Sequence, residues 1–589
     1  MEDNVAAEHH DLSLSAQVKF SKDVKLLLCT FKDLGNPFLE DSDDLYALGT
    51  KLVASQDAVK NLHQIHDIGK SQFEEFVQKR LWTSSKPISD TIPKNKLNFF
   101  ANLKSHKASS KDEKLKSAKQ NVTLFSRLFI ACQARDGNLE EFFAHENQSS
   151  PPALSEKGDI RPAKNKSAVL NCIIQADHSQ PGKAPIVDVK IFDGPALVNM
   201  LQPSNCKTFH DYAKDVFTAY IRNQSQSVCR VDLVWDRYFD DSLKGRTRSN
   251  RGVGIRRKVT SNGILPKNWA TFLRCSENKK ELFPYLSRHV IDEATSTKQF
   301  VATHDENVLY NNNIDASDMM PCTIEEADER IFVHANHAAK TYTRLLIKTV
   351  DSDVIIIAVA AFHRIRGLTE LWVEFGVGKS LRFIPVHEIA SGLGKAKSNA
   401  FLFFHAVSGC DTNSSVAGKG KKSFYDAWDL LPSVTTVFEK LVTISDREEI
   451  LTEDYKLLER YFVVLYSPTC NTDNVNIARR LLFSQGRSIE NIPPTAASIK
   501  QHVLRAALQG SRWYRCLEKG RTTVDPTLWG WKRSGTGYIP FWSELPEASV
   551  ACRVLTKCGC KLSCKGRCKC SSQELPCTEL CRCAGQCAN

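Results

Sequence analysis

Three short runs of mostly β-branched and apolar residues, each followed at once by an aspartate, restrict the fold of this chain more than any other feature. They span residues 186–192, 228–235 and 344–350, and segments of helical pattern separate them. A strand that lacks polar alternation is typical of a parallel sheet covered by helices on both faces. The sequence therefore predicts an α/β fold built on a parallel sheet.

The predicted strands end in the acids Asp193, Asp236 and Asp351, and Asp353 follows two residues after the last. Ligands of open α/β sheets bind beyond the carboxyl ends of the strands, so acids from separate strands can converge there. Each acid also has a structural explanation. Asp193 precedes a Gly-Pro pair and can cap a helix, and Asp236 can be a solvated loop acid. Asp351 and Asp353 project to the same side and repel each other without a cation, although one of them can cap a helix.

Three further acids lie near predicted helix starts. Glu326 completes a Thr323-x-x-Glu326 capping box before an amphipathic helix, and Asp328 falls in the first turn, where the helix dipole alone favours an acid. Asp411 follows Gly409 and precedes a run rich in glycine and lysine. Such a run before a helix suits contact with a phosphate, although it is usually a solvated loop.

The order of these acids resembles that of the flap-endonuclease, or XPG-type, nucleases of the PIN-like superfamily. In that family an aspartate ends the first strand and a second follows another strand before a basic helix. An acid-Ala-acid triplet then opens a helix, an acid pair follows the next strand, and a Gly-x-Asp precedes a DNA-binding turn. All seven positions have a match in order: Asp193, Asp236, Glu326, Asp328, Asp351, Asp353 and Asp411. Residues 414–428 look like the family's helix-two-turn-helix, which holds duplex backbone.

This resemblance implies hydrolysis of phosphodiester bonds by two divalent cations about 4 Å apart. Hard oxygen ligands select Mg²⁺ or Mn²⁺, so the seven carboxylates are the expected metal ligands. The resemblance also places Lys244 and Arg248 against the scissile phosphate as catalytic cations. A solvated basic helix face is the alternative for these cations and their neighbours. The family resemblance implies that the following residues contact nucleic acid: Lys244, Arg246, Arg248, Arg251, Lys419, Lys421 and Lys422.

The chain also departs from the family. Its first predicted strand begins at residue 186, whereas the family's first strand lies near the start of the chain. Recognition of flaps or of 5′ ends is therefore not carried over to this protein.

A second constraint comes from the C-terminus, where ten of the chain's 20 cysteines lie between Cys552 and Cys587. Thiolates at such short spacing are zinc ligands far more often than isolated thiols. Nine form a nearly regular series: Cys558, Cys560, Cys564, Cys568, Cys570, Cys577, Cys581, Cys583 and Cys587. Nine thiolates fill two four-coordinate sites with one left over, or three sites if three thiolates bridge.

The pattern CxCx3Cx3CxCx6Cx3CxCx3C resembles the tesmin-type CXC domain, which is known as a Zn₃Cys₉ cluster that binds DNA. The resemblance implies three zinc ions. Local charge favours DNA only weakly, because the basic residues of this segment face two acids and an anionic zinc-thiolate cluster. The family's tyrosine for minor-groove insertion is also missing before Cys568. A structural or protein-docking zinc module is the alternative.

The sequence predicts four parts: a mainly helical region at 1–170, the PIN-like domain at 180–470, a tryptophan-containing linker and packing segment at 471–548, and the zinc module at 549–589. Helical periodicity marks residues 58–68, 71–81 and 122–132. No apolar run approaches the roughly 20 residues that a membrane helix needs, and the N-terminus lacks an apolar signal region. We therefore expect an intracellular, nuclear protein.

The formal net charge of +12 favours an anionic partner. These features together predict a Mg²⁺-dependent nuclease that acts on DNA. Two alternatives stay open: a non-enzymatic DNA- or chromatin-binding protein that keeps the nuclease fold as a scaffold, and a PIN-like nuclease that cuts RNA. Intact carboxylates favour an enzyme. The pairing of domains is similar to that of proteins encoded by mobile elements or derived from them.

Overall fold

The computed structural model describes residues 13–34, 44–46, 51–54, 56–92, 135, 138–174, 184–239, 241–245, 248, 254–294, 297–312, 314–520, 524–535, 537–547, 556–559, 568–579 and 581–583. The chain divides into two compact units. The first comprises residues 1–107, 198–223 and 252–293, and the second comprises residues 108–197, 224–251 and 294–589.

The strands of the described residues are β1 (Ser155–Glu156), β2 (Asp159–Ile160), β3 (Val189–Asp193), β4 (Arg230–Val234), β5 (Gln299–His304), β6 (Asn307–Tyr310), β7 (Arg344–Thr349), β8 (Glu370–Phe375), β9 (Arg382–Pro385), β10 (Trp531–Ser534) and β11 (Gly537–Pro540). The helices are α1 (Leu14–Leu34), α2 (Gln56–Phe76), α3 (Leu139–Ala144), α4 (Leu170–Ile173), α5 (Gly194–Met200), α6 (Phe209–Asp211), α7 (Ala219–Ser225), α8 (Trp269–Leu273), α9 (Ser276–Asp292), α10 (Ala327–Ala338), α11 (Ser352–Phe362), α12 (Val386–Val407), α13 (Lys421–Leu430), α14 (Val434–Thr443), α15 (Thr452–Tyr466), α16 (Val475–Ser484) and α17 (Ala496–Tyr514). Two π-helical segments, Val77–Trp82 and Tyr212–Thr218, continue α2 and α6.

A seven-stranded sheet forms the centre of the second unit, in the order β6-β5-β4-β3-β7-β8-β9. The five inner strands pair in parallel, and β6 and β9 pair antiparallel at the two edges. This topology confirms the predicted α/β fold with a mainly parallel sheet. The three strands predicted from sequence are β3, β4 and β7, and they are neighbours in the sheet. Their carboxyl ends therefore meet at one edge.

Helices α10, α11, α12 and α17 share one hydrophobic core with the sheet. Residues Val354 to Ala361 of α11 are completely buried, as expected for the longest apolar run of the chain. Apolar residues around the whole helix are typical of a helix enclosed by protein. Trp513, Trp529 and Trp531 belong to the same core, so residues 471–548 contribute to the packing of the sheet unit.

The first unit contains α1, α2, α8 and α9 among its helices. A group of aromatic rings packs within it, with Tyr212 4.8 Å from Trp269 and Trp269 5.1 Å from Phe272 between ring centroids. Helix α2 and its π-helical continuation cover the predicted helical segments 58–68 and 71–81. The third predicted segment, 122–132, lies outside the described residues. Within the described part of the chain, no helix combines the length and the apolar character that crossing a membrane requires.

Candidate acidic site and cysteine cluster

Asp193 is the last residue of β3, and its carboxylate joins two neighbouring elements. Oδ1 accepts the backbone N–H of Ala196 at 3.2 Å, and Oδ2 accepts the Thr349 hydroxyl at 2.6 Å. Asp193 therefore has the helix-capping contact expected from its sequence and also ties β3 to the end of β7. Burial raises the pKa of Asp193 to about 6, and the nearby Asp236 contributes to this shift.

Asp236 follows β4 and contacts the start of α10. Its Oδ1 accepts the Ala327 backbone N–H at 2.9 Å, and its Oδ2 accepts the Tyr238 hydroxyl at 3.0 Å. The predicted capping box of Thr323 and Glu326 is wrong, because α10 begins only at Ala327 and Glu326 itself occupies the N-cap position without a capping hydrogen bond. The carboxylate of Asp236 supplies a partner for the N-terminal N–H from outside the helix instead.

Asp328, Asp351 and Asp353 form the centre of the acidic site. Each offers one carboxylate oxygen, and the three oxygens lie within 4.8 Å of one another. Asp328 comes from the first turn of α10, and the other two come from the junction between β7 and α11. Asp351 is the N-cap of α11 and accepts the backbone N–H of Asp353 at 2.9 Å. The capping role predicted for one of this pair is thus present alongside the clustering.

The charges of these three acids depend on one another. Burial, together with the charge of the neighbouring Asp353, raises the pKa of Asp351 to about 7. Burial and the charge of Asp351 likewise raise the pKa of Asp328. Burial acts against ionisation of Asp353 as well, but Lys166 and His405 hold its pKa well below the ordinary value. A divalent cation would offset this repulsion, and three carboxylate oxygens suit a hard cation such as Mg²⁺. This group can hold a divalent ion.

His405 of α12 supports Asp353 from inside the core, and sequence analysis did not identify it. Its Nε2 lies 2.9 Å from Asp353 Oδ1, and both side chains are buried. Burial lowers the pKa of His405 to about 4, so the neutral ring donates the Nε2 hydrogen to the carboxylate. His405 lies in the largely apolar stretch 400–407, and a histidine in such a stretch gives no sequence signal for this role.

Two lysines lie among the carboxylates. Lys244 Nζ is 2.7 Å from Glu326 Oε2 and 3.7 Å from Asp411 Oδ2. Lys166 pairs with Asp411 Oδ1 and lies 3.7 Å from Asp353 Oδ2. Lys244 was predicted to face this site, whereas Lys166 was not, because it comes from upstream of the first sheet strand. These shared contacts connect Glu326 and Asp411 to the central group.

Arg248 is also directed inward. Its Nη2 pairs with Glu325 Oε1 at 2.9 Å, and its guanidinium lies 4.9 Å from the centre of the Tyr238 ring. Lys244 and Arg248 are thus largely covered and do not form a solvated helix face. The other two basic residues predicted here, Arg246 and Arg251, lie outside the described residues.

The three lysines near the start of α13 differ in their surroundings. Lys421 is only 3% exposed, and its Nζ donates to His405 O, Ser408 Oγ and Gly409 O. All three hydrogens of the Lys421 ammonium have protein acceptors. The nucleic-acid contact predicted for Lys421 is therefore not part of the function proposed below. Lys419 is half-buried over the Tyr466 ring, and Lys422 is exposed beside Asp426. α12, the loop 408–420 and α13 form the helix-loop-helix that carries Asp411.

Six of the nine predicted zinc-binding cysteines lie in the described residues, and they form a separate buried cluster. One group of four consists of Cys558, Cys577, Cys581 and Cys583, and another consists of Cys558, Cys568, Cys570 and Cys577. Within each group, the sulfur atoms lie within 4.8 Å of one another. None of these six cysteines takes part in a disulfide, and the clusters can hold zinc. Cys560, Cys564 and Cys587 lie outside the described residues.

Arg135 fastens the cysteine cluster to a distant part of the chain. Its Nη2 donates to Cys570 Sγ at 3.4 Å, and its Nε donates to the Pro576 carbonyl at 2.8 Å. Hydrogen bonds from cations to thiolates help to orient metal ligands and stabilise their charge.

No family model matches this chain, and no curated protein matches it.

Proposed function

We propose that this protein is a nuclear, divalent-metal-dependent nuclease of PIN-like type that hydrolyses phosphodiester bonds of DNA. The observation that carries the proposal is the group of Asp328, Asp351 and Asp353, whose oxygens lie within 4.8 Å of one another. This group follows the end of β7, beside the ends of β3 and β4, where open α/β sheets bind their ligands. Lys166 and Lys244 lie next to the group, which supports an anionic substrate.

Mg²⁺ or Mn²⁺ at this group would supply activation of water and stabilisation of charge on the leaving oxygen. The side chains have distinct roles around it. His405 fixes the orientation of Asp353 through the 2.9 Å hydrogen bond. Lys244 presents a cation where negative charge develops on a phosphoryl group. Asp193 and Asp236 hold the start of α5 and the start of α10, and so position the elements that carry the site.

We further propose that the cysteine module holds three zinc ions through nine thiolates and brings the enzyme to DNA. The sharing of Cys558 and Cys577 by both groups of four supports bridging thiolates, because a bridged cluster needs cysteines that belong to two metal sites. The thiolates are expected to order this segment only when the metal is bound.

The proposal is tested by incubating the purified chain with labelled flap, gapped, hairpin and single-stranded DNA and RNA. Cleavage of DNA with Mg²⁺ or Mn²⁺, and none with EDTA, is the expected result. Cleavage of RNA alone would favour the PIN-like ribonuclease instead. A protein that binds nucleic acid and cuts neither polymer with either metal would exclude the nuclease and favour the scaffold.

Replacing both Asp351 and Asp353 with asparagine separates catalysis from binding. Asparagine keeps the shape and the N-cap of α11 but removes two negative charges. We expect cleavage to fall by at least about 1,000-fold, since the proposed metal loses its main ligands. DNA binding, measured by fluorescence anisotropy, should persist or tighten because repulsion of the phosphate is reduced.

The matched control for this double variant changes Glu453 to glutamine and Asp473 to asparagine, two exposed acids of the same unit. It should leave both cleavage and binding unchanged. Equal activity of the two double variants would show that Asp351 and Asp353 have no part in the reaction.

A further inference from the structure

Asp411 has partners that differ from those of the central acids. Its Oδ1 pairs with Lys166, and its Oδ2 lies 3.7 Å from Lys244. The Asp411 carboxylate lies between two ammonium groups, with one on the side of each oxygen. Its negative charge is compensated by the protein itself.

Lys166 is held in this position by the fold. It begins the 3-10 turn Lys166–Val169, which is followed directly by α4, and Val169 and Leu170 are completely buried in the core of the sheet unit. Its side chain is 20% exposed. Its Nζ pairs with Asp411 and lies 3.7 Å from Asp353 Oδ2. A fixed positive charge thus lies between Asp353 and Asp411.

The remaining acids are engaged by other groups. Glu326 pairs with Lys244, while Asp193 and Asp236 accept hydrogen bonds from neutral hydroxyl and backbone donors. Within the part of the chain that the structure describes, Asp328, Asp351 and Asp353 are the one carboxylate group whose oxygens converge closely enough for a cation. A second divalent cation near Asp411 would have to approach two ammonium groups, and like charges at short distance repel strongly.

We propose that this site binds one divalent cation, at Asp328, Asp351 and Asp353, and that the Lys166 ammonium takes the place of a second cation between Asp353 and Asp411. The inference rests on the proposed nuclease function and changes its expected two-metal arrangement. Lys166 supplies one positive charge at Oδ1 of Asp411. Lys244 supplies another from the opposite oxygen of that carboxylate.

The number of cations is measured by electron paramagnetic resonance during a Mn²⁺ titration of the full, zinc-loaded chain. Zinc gives no signal, so the cysteine module does not interfere. The titration is made with the protein alone and with the protein frozen together with a hairpin DNA. We expect one Mn²⁺ per chain in both samples and no spin-coupled pair. Two Mn²⁺ ions, or a coupled pair in either sample, would overturn the inference.

Two substitutions test the assignment of each carboxylate. Asp351→Asn should weaken Mn²⁺ binding by more than about tenfold, because it removes a ligand charge. Asp411→Asn should change Mn²⁺ affinity by less than about threefold, because its partners are lysines. Equal losses in the two variants would place Asp411 among the metal ligands and refute the proposal.

Lys166→Met removes the ammonium and opens space between Asp353 and Asp411 for a second cation. We expect this variant to bind two Mn²⁺ ions with a spin-coupled signal, and Lys166→Arg to bind one. Lys164→Met, at an exposed position two residues away, is the matched control and should also bind one. A single Mn²⁺ in Lys166→Met with unchanged affinity would contradict the role of Lys166.

The stoichiometry is independent of cleavage, so the two proposals can fail separately. A chain that binds one Mn²⁺ and cuts no nucleic acid lacks the proposed function. A chain that cuts DNA and binds two Mn²⁺ ions has the proposed function, but in it the Lys166 ammonium does not take the place of a second metal ion. If Lys166→Met does not fold, the wild-type titration and the Asp411→Asn variant still decide the question.

Discussion

At the scale of single residues, buried charges in the interior of the sheet unit are paired with specific partners. Asp232 lies in β4 and is completely buried. Arg230 donates to both of its carboxylate oxygens, at 2.6 and 2.7 Å, and His334 Nδ1 lies 2.8 Å from Oδ2. Burial opposes ionisation of Asp232, but Arg230 and His334 lower its pKa to about 2. The carboxylate is therefore part of the packing and lies apart from the acids at the strand ends.

Asp232→Asn should destabilise the protein by about 3–5 kcal/mol at pH 7, because it leaves Arg230 buried without its counter-ion. The folded pKa of Asp232 is about 2, below the ordinary value of 3.8. Its contribution to stability is therefore fully present above pH of about 4 and is lost as the pH falls through 2. Urea denaturation at pH 7 and pH 3 measures the difference.

Asp429→Asn is the control for Asp232→Asn. Asp429 is exposed and lies 4.0 Å from the half-buried Lys397, so this change should cost less than about 1 kcal/mol. If the two variants lost equal free energy of unfolding, the buried pair of Asp232 and Arg230 would stabilise the protein no more than a surface pair does.

Lys421 and Lys422 are adjacent in sequence, but Lys421 is buried and Lys422 is exposed. Lys421→Met should lower the free energy of unfolding by about 2 kcal/mol, since buried acceptors at Ser408 and Gly409 lose their donor. Lys422→Met should change stability by less than about 0.5 kcal/mol, because Lys422 is exposed. Thermal denaturation compares the variants. A larger stability loss in Lys422→Met would contradict the placement of these side chains.

At the scale of elements, the loop 408–420 determines where Asp411 lies between α12 and α13. Gly409 has a φ of +110°, and a Cβ there would lie 2.7 Å from Ser415 Cα. Such a backbone conformation and such a contact leave room only for glycine. In this conformation the loop holds the Asp411 carboxylate beside Lys166 and Lys244.

Gly409→Ala should destabilise the protein by about 1–3 kcal/mol and displace Asp411 from its lysines. Gly420→Ala in the same loop is the control, since nothing lies within 4 Å of its added Cβ and its φ is −95°. Urea denaturation measures stability, and cleavage rate reports the position of Asp411. Retention of wild-type stability by Gly409→Ala would show that the loop tolerates another conformation.

At the scale of the whole molecule, the described part of the sheet unit has a buried core of cysteines that is separate from the core around the sheet. We expect native mass spectrometry of the full chain to detect three zinc ions. Cys577→Ser should lose more zinc than Cys583→Ser, because Cys577 belongs to both groups of four and Cys583 belongs to one. Two zinc ions in the wild-type chain, or disulfides in freshly reduced protein, would contradict the bridged cluster.

Local sequence was sufficient for three of the seven strands of the sheet and for the acids that follow them. The apolar runs of β3, β4 and β7 identify strands buried on both faces, and the aspartates that follow them are neighbours because parallel strands end at one edge. Cysteine spacing was likewise sufficient to locate the thiol cluster. In each case the information lies within a few residues of the feature that it predicts.

The sequence motif was insufficient where a distant group competes with a local one. Thr323 and Glu326 fit a capping box, but Asp236, about 90 residues earlier, contacts the first N–H of α10 at 2.9 Å. The tertiary fold supplied another partner and moved the start of the helix to Ala327.

By itself, the sequence determined the α/β class, the acids at the strand ends and the thiol cluster, since periodicity and spacing are local properties. Only the tertiary structure decided which cations accompany those acids. Lys166 precedes Asp353 in the sequence and His405 follows it, and both side chains contact the Asp353 carboxylate. Lys421 is buried, whereas the adjacent Lys422 is exposed to solvent. Charge compensation in a buried site depends on distances of a few ångströms between remote residues, and no local pattern records those distances.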